Sequence, residues 1–402
     1  MKLKRIISAA LFISLLLVQF AGISVSADEA AVQTAPNNLE EANVLYALGI
    51  IDAQDESAVW ENTSIKNRQF LTYVINMTNY NGLKYSYVTL PTDEISSADE
   101  DYDKYVYAFS NGWLKDETGI APDKELTVDF AIPVLRGALG YTGLIAAGND
   151  NIGNRLLKNL MDGVTADADG KLSFNSAVKM LHNAINTAYC EQVEFPGSSR
   201  TWRINEDETV LSLNRNIYKV KGRVTATNFA TITGETVGEN QIRIDGTVYE
   251  IADKSFNSFI GKNVEAYVHI DDFESKVMYL AADSTTSEIV IEGENFASYT
   301  PEMISYNDEK GNLKNMSVND PIIIYNGKEL KTGQYSDTLF DITEGNVTLL
   351  KNNNIVDVII ITKYKNLVVG TVDKDDLIVT DMFRDDSINF DCDEFSLKNE
   401  SG

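Results

Sequence analysis

Apolar residues in the first half of the chain recur at helical spacing, in three units with the same order of features. Each unit shows a helix pattern, a glycine that ends it, an apolar pair, a loop and a second helix pattern. The clearest unit is 105–141, where Thr127 is a predicted N-cap and one face of the following helix is apolar. The glycines are Gly49, Gly112 and Gly163, and the second helices follow Ile65, Leu126 and Leu172.

Three related units that cannot bury their apolar faces alone predict one helical domain. We place this domain at 39–190, with repeats at about 39–80, 101–141 and 151–189. The predicted fold class is therefore multidomain α+β, in which an all-α bundle of three repeats is followed by small all-β barrel or sandwich modules.

Short alternating apolar segments separated by turn signals predict the β part of the chain. Asp245-Gly246 and Asn326-Gly327 are typical of tight hairpins. We expect β modules at 216–292 and 293–365, and a linker at 191–215 that contains Pro196-Gly197-Ser198-Ser199.

One short sequence occurs twice in the β part. Val220-Lys221-Gly222-Arg223-Val224 returns as Val368-Val369-Gly370-Thr371-Val372. The echo is either chance or the sign of a repeated β module. The second interpretation predicts that 366–402 is the start of a further, incomplete module and that the chain is truncated.

The first 27 residues have the features of a secretory signal peptide. Lys2, Lys4 and Arg5 precede the apolar stretch Ile6–Ile23, and Val25-Ser26-Ala27 fits a cleavage site. Residues 28–38 are a predicted flexible lead-in. We therefore expect a secreted protein with no membrane span in the mature chain, whereas the alternative is a single uncleaved span.

The chain is strongly acidic, with a formal charge of −26 that becomes −29 when the three basic leader residues are removed. This charge argues against nucleic acid as a partner, because nucleic-acid binding requires a basic surface. Binding of an acidic polymer would need local basic groups. Cys190 and Cys392 are too few for a disulfide framework, and whether they pair is left open.

Candidate catalytic chemistry is sparse. His182 and His269 are the only histidines, and neither accompanies a nucleophile motif or a zinc-ligand pattern. Asp167–Leu172 resembles part of a calcium loop but lacks the bidentate glutamate, so a tight helix-entry turn is the preferred interpretation. We expect no catalytic residue, no metal and no cofactor, and thus a protein that is not an enzyme.

The three helical units resemble the S-layer homology domain, which secreted bacterial proteins use to attach to the cell wall. The resemblance rests on Tyr46–Ile51, Tyr107–Leu114 and Ala121–Thr127, and it covers Leu39 to about Tyr189. It implies a pseudo-threefold bundle that binds an anionic polysaccharide linked to peptidoglycan, in grooves between the units.

The central motif of that family, Thr-Arg-Ala-Glu at the start of the second helix, is altered here. The matching positions are Lys66–Gln69, Thr127–Phe130 and Ser173–Ser176, and the family's polysaccharide-contacting arginine is absent from all three. Basic residues nearby are the expected substitutes, and two tryptophans are candidates either for stacking on sugars or for packing. The resulting ligand-binding candidates are Trp60, Lys66, Arg68, Trp113, Lys124 and Lys171.

The β part resembles modules of large clostridial surface proteins at Ile260–Val264, Tyr325–Gly327 and Asp357–Ile359. Together the resemblances imply a protein of the Gram-positive cell wall or S-layer, attached non-covalently through wall polysaccharide, with β modules as spacer or display segment. One alternative is a surface-layer assembly or protein-interaction domain that contacts other surface-layer proteins without binding glycan. Another is the targeting part of a truncated carbohydrate-active enzyme.

Overall fold

Helices occupy the first part of the chain and strands most of the remainder, so the predicted α+β class is confirmed. The computed structural model describes residues 39–52, 61–82, 88–114, 120–193, 201–272, 274–330, 339–342, 344–352, 355–364, 368–374, 378–383 and 387–389. The predicted signal peptide and lead-in lie outside the described residues, as does Cys392. Among the described residues, no helix is long and apolar enough to cross a membrane.

The chain divides into two compact units, which are described separately. Among the described residues, one unit lies within Ala35–Glu288 together with Leu350–Asn354, and the other within Ile289–Leu349 and Ile355–Gly402.

The first unit begins with the three helical repeats. Their helices are α1 (Leu39–Ala47), α2 (Asn67–Asn76), α3 (Tyr102–Ser110), α4 (Val128–Ala138), α5 (Thr142–Ala146), α6 (Asp150–Leu160) and α7 (Phe174–Ile185). The first helix of each repeat is followed by Gly49, Gly112 or Gly163 with φ of 65°, 71° and 69°. The predicted glycine stops are thereby confirmed, since L side chains rarely adopt this backbone conformation.

The segments that enter α2, α4 and α7 meet one another at the centre of the repeats. Leu126 N donates to Ile65 O at 2.8 Å, Leu172 N donates to Leu126 O at 2.9 Å, and Phe174 N donates to Thr63 O at 2.8 Å. Each entry segment thus bonds to the other two. The apolar residues at this point, Ile65, Leu126 and Leu172, are 0–2% exposed. We call this arrangement the entry ring.

Residues 191–215 were expected to be a linker, but the described part of this stretch has regular structure. Strands β1 (Ala188–Val193) and β2 (Thr201–Thr209) pair antiparallel, and helix α8 (Val210–Arg215) follows. Thr209 and Ser212 form a capping box at the start of α8. Arg215 then donates to Asn76 O at 2.9 Å, which ties this stretch to the helical repeats. The linker was predicted from Pro196-Gly197-Ser198-Ser199, which lie outside the described residues. The residues on either side of them pair as β1 and β2.

A closed five-stranded barrel completes the first unit. Its strands are β3 (Ile217–Thr227), β4 (Gln241–Ile244), β5 (Thr247–Glu250), β6 (Asn263–Ile270) and β7 (Ser275–Ala282), in the spatial order β3-β4-β5-β7-β6. The long β3 pairs with both β4 and β6, and a parallel Glu250–Lys276 pair closes the barrel. The hairpin predicted at Asp245-Gly246 is confirmed, since both residues have positive φ and β4 pairs with β5.

The second unit contains a seven-stranded mixed sheet of β8 (Ser287–Glu292), β9 (Phe296–Thr300), β10 (Met303–Asn307), β11 (Leu313–Tyr325), β12 (Lys328–Leu330), β13 (Gly345–Asn352) and β14 (Ile355–Lys363). The hairpin predicted at Asn326-Gly327 joins β11 to β12 and is confirmed. The strands β11 and β14 pair in parallel, with Ile323 opposite Ile359. Both residues are fully buried.

A separate three-stranded sheet follows, with β15 (Val369–Asp373), β16 (Ile378–Asp381) and β17 (Ser387–Asn389). Its antiparallel order matches that of β3-β4-β5, and β15 holds most of the second copy of the sequence echo. The environments differ, because Val372 is 54% exposed whereas the matching Val224 is buried. The pairing differs as well, because 220–223 pair with β6 whereas Val369, Thr371 and Val372 pair with the following strand β16.

Gly137 provides a test of the packing inside the helical repeats. A Cβ added there would lie 2.3 Å from Trp113 Cδ1 and 2.9 Å from Trp113 Cα. We predict that Gly137→Ala lowers the free energy of unfolding by about 1–3 kcal/mol, because the backbone of Trp113 cannot rotate away. Urea unfolding followed by circular dichroism measures the change.

The matched control is Gly153→Ala in α6, where the nearest atom, Ile145 Cδ1, is 3.5 Å away. That substitution should stabilise the helix by about 0.5–1 kcal/mol, since alanine is the better helix former. A Gly137→Ala protein as stable as the Gly153→Ala protein would contradict the packing described here.

Candidate functional site

The entry ring brings together one predicted binding lysine from each repeat. Lys66 pairs through its backbone with Glu125, and Thr127 pairs in the same way with Lys171. The carbonyl of Lys124 accepts a hydrogen bond from Asn67 N at 3.0 Å. Lys66, Lys124 and Lys171 therefore lie on neighbouring segments of one surface, although 105 residues of sequence separate the first from the last.

These three lysines remain accessible to solvent. Lys66 Nζ lies 3.6 Å from Asp123, and Lys171 Nζ lies 2.6 Å from Glu125. The ion pair with Glu125 raises the pKa of Lys171. Lys124 is exposed and makes no ion pair within the part of the chain that the structure describes. Exposed pairs of this kind contribute little to stability, so a ligand can replace them at low cost.

Arg68 is held by carboxylates and is not available in the way the sequence suggests. Its guanidinium lies 3.1 Å from Asp123, 3.2 Å from Asp101 and 3.4 Å from Asp99. The hydrogen bond from the Asp101 amide, and then Arg68, lower the pKa of Asp99. Lys104 adds a 2.7 Å contact to Asp101. That Arg68 contacts polysaccharide stays a prediction, while its donors already serve three acidic groups that join the first two repeats.

The sequence offers no signal that singles out Asp99 and Asp101 for this role. Both lie near the end of the long polar insertion between the first two repeats, where acidic residues are common. Their function depends on the approach of Arg68, which is more than thirty residues away along the chain.

The two tryptophan candidates have different outcomes. Trp113 is 5% exposed and packs edge-on against Tyr107, with ring centroids 5.3 Å apart. Of the two roles that the sequence left open for Trp113, this burial favours packing over stacking on a sugar. Trp60 lies outside the described residues.

The positions that carry the binding arginine in the S-layer homology motif are used for packing here. Asn67 is 5% exposed and donates to Ala121 O at 2.9 Å, while Phe174 is 1% exposed. Thr127 accepts a hydrogen bond from Phe130 N, so the predicted N-cap is confirmed. In the third repeat, Ser173 caps α7 in the same manner. Side-chain caps thus begin α4 and α7, although no arginine stands at these positions.

The segment that resembled a calcium loop forms a turn in which backbone amides donate to the Asp167 carboxylate. Asp167 Oδ1 accepts from Asp169 N at 2.9 Å and from Lys171 N at 2.7 Å. Among the described residues, no group of three or more acidic, histidine or cysteine side chains is placed to hold a metal ion. The carboxylate of Asp167 thus positions Lys171 at the entry ring.

The two histidines lie on different elements of the first unit. His269 is in β6, with Nδ1 4.0 Å from Asp271, and His182 is on α7. Burial lowers the pKa of His182 to about 4. Burial also raises the pKa of Cys190 to about 11, so this thiol is protonated at neutral pH.

Arg68→Ala tests the role assigned to the carboxylate cluster. We predict a loss of about 1–2 kcal/mol in unfolding free energy, because Asp99 and Asp101 lose their shared partner. The unfolding free energy of Arg68→Lys should lie between those of the wild type and Arg68→Ala, since an ammonium lacks the planar fork that reaches three carboxylates. Lys124→Ala is the control and should change stability by less than about 0.5 kcal/mol. Equal stability of Arg68→Ala and wild type in urea would refute this role.

The lowered pKa of His182 predicts an acid-dependent stability. The unfolded imidazole binds a proton below about pH 6.5, whereas the folded one stays neutral until about pH 4. Stability is therefore lost as the pH falls through this window, by about 1–3 kcal/mol. His182→Asn should show a shallower decrease of melting temperature over the same range. Parallel curves for the two proteins would show that carboxylate protonation alone causes the decrease.

No protein-family model matches this chain, and neither a curated protein nor a solved structure matches it. The function proposed below therefore rests on the contacts of the entry ring and on the sequence resemblance.

Proposed function

We propose that this protein attaches non-covalently to the bacterial cell wall through an anionic polysaccharide linked to peptidoglycan. The helical repeats act as an S-layer homology-like bundle, and the β modules act as spacer or display segment. In this proposal the protein is secreted and has no catalytic role.

The arrangement of the three repeats supports the bundle. Their entry segments bond to one another cyclically, and Ile65, Leu126 and Leu172 occupy equivalent buried positions. Each repeat completes the hydrogen bonding of its neighbours, as expected of units that cannot fold alone.

The observation that carries the proposal is the gathering of Lys66, Lys124 and Lys171 at the entry ring. Asp123 and Glu125 pair with two of these lysines, and Asp167 and Asp169 also lie near Lys171, so the surface carries both signs of charge. In a chain with a formal charge of −26, these exposed ammonium groups are the local basic groups that binding of an acidic polymer requires. Several weak contacts on one rigid surface gain strength through multivalency.

The binding surface differs from the one that the sequence resemblance implied. Arg68 and Trp113 now stabilise the bundle, while Lys66, Lys124 and Lys171 remain as the contact residues. Lysines act as point charges rather than as bidentate forks, so recognition depends on charge more than on the geometry of one carboxylate. Binding should accordingly weaken as salt is added.

A pull-down on purified cell walls tests the proposal. The wild type should be retained on walls that carry the polysaccharide and released from walls stripped of it. Changing Lys66, Lys124 and Lys171 together to glutamine should reduce retention about tenfold, if each contact contributes about 0.5 kcal/mol.

The control replaces Lys254, Lys310 and Lys314 with glutamine, which changes the charge equally at exposed sites in the β part. This control should bind like wild type. Equal retention on intact and stripped walls would contradict glycan binding and favour the alternative of protein interaction within a surface layer.

A further inference from the structure

A groove lies between the third helical repeat and the barrel, inside the first compact unit. Two adjoining cavities of about 420 and 380 Å³ form it, and His182 and Lys219 line both. Cavities of this size are in the range of small-ligand sites. None of the entry-ring lysines lines either cavity, so the groove is distinct from the surface discussed above.

Two lysines that line the groove are already paired with glutamates. Lys179 Nζ lies 2.7 Å from Glu41, and Lys219 Nζ lies 2.8 Å from Glu265. Lys219 also lies 5.7 Å from the centre of the Tyr267 ring. A strongly charged ligand would have to break these partly buried pairs, which is costly. The electrostatics favour an uncharged polar ligand.

His182 lines this groove, and its imidazole can hydrogen-bond to a ligand there. Its backbone carbonyl accepts from Asn186 Nδ2 at 2.9 Å, but its ring makes no hydrogen bond or ion pair within the described ranges of the chain. Burial keeps the ring neutral at neutral pH, although Glu41 on α1, Lys179 on α7, and Lys219 and Glu265 on the barrel face it. A neutral imidazole offers one donor and one acceptor.

Tyr279 offers a second free group on the opposite wall. It is partly buried on β7, and its hydroxyl has no hydrogen-bond partner among the residues that the structure describes. Burial raises its pKa, so the hydroxyl stays protonated and can both donate and accept. The neighbouring Tyr267 differs, because its hydroxyl donates to Asn186 Oδ1 at 3.0 Å.

We propose that this groove binds a short neutral oligosaccharide, whose hydroxyls hydrogen-bond to the His182 imidazole and the Tyr279 hydroxyl. Sugar hydroxyls donate and accept in the same way as these two side chains, so each can satisfy the other. Asn159, which also lines the groove, provides an amide of the same dual character.

The two histidines make this site directly observable. Their imidazole C–H signals can be followed by NMR in the full chain while maltotriose or N,N′,N″-triacetylchitotriose is added. The His182 signals should shift saturably at millimolar saccharide, and the His269 signals should not move. Absence of any shift, equal shifts at both histidines, or shifts only with the acidic trigalacturonate would overturn the proposal.

Variants locate the contacts. Tyr279→Phe removes one hydroxyl and should weaken saccharide binding about fivefold in calorimetry, the worth of about one hydrogen bond. His182→Ala should weaken it at least as much, whereas His269→Ala should leave the affinity unchanged. Thermal unfolding confirms that each variant is folded. Unchanged affinity in both Tyr279→Phe and His182→Ala would contradict the proposed saccharide site.

Discussion

The helical part of this protein depends on the hydrogen bonds that close the entry ring. Ile65, Leu126 and Leu172 are buried, and a buried amide or carbonyl without a partner is strongly destabilising. Each entry segment obtains its partners from the other two repeats, so no repeat can satisfy its own backbone. The same bonds fix the starts of α2, α4 and α7 and thereby place the lysines that flank them.

Basic residues of the helical repeats have two different environments. Arg68 is surrounded by Asp99, Asp101 and Asp123, and this cluster joins the first two repeats. Around the entry ring, Lys66, Lys124 and Lys171 keep exposed side chains beside Asp123, Glu125 and Asp167. A basic residue beside an entry segment can thus be enclosed by carboxylates, as Arg68 is, or stay accessible to solvent, as Lys66 is.

The barrel and the helical repeats belong to one compact unit because the stretch between them is structured. The pair β1-β2 and helix α8 lead directly into β3, and Tyr267 on the barrel donates to Asn186 at the end of α7. This packing leaves a groove in which Lys179 and Lys219 are paired with glutamates, while His182 and Tyr279 keep free hydrogen-bonding capacity. Residues of both the helical repeats and the barrel line the groove, so neither part forms it alone.

The sequence by itself determined the local structure. Glycine stops, the Thr127 cap and the two hairpins at Asp245-Gly246 and Asn326-Gly327 follow from backbone preferences that act over a few residues. Tertiary structure alone decided the rest: the burial of Trp113, the capture of Arg68 by distant carboxylates, the order in residues 201–215 and the parallel pairing of β11 with β14. These features depend on contacts between residues far apart in sequence, and the spacing of residues along a chain carries no information about such contacts.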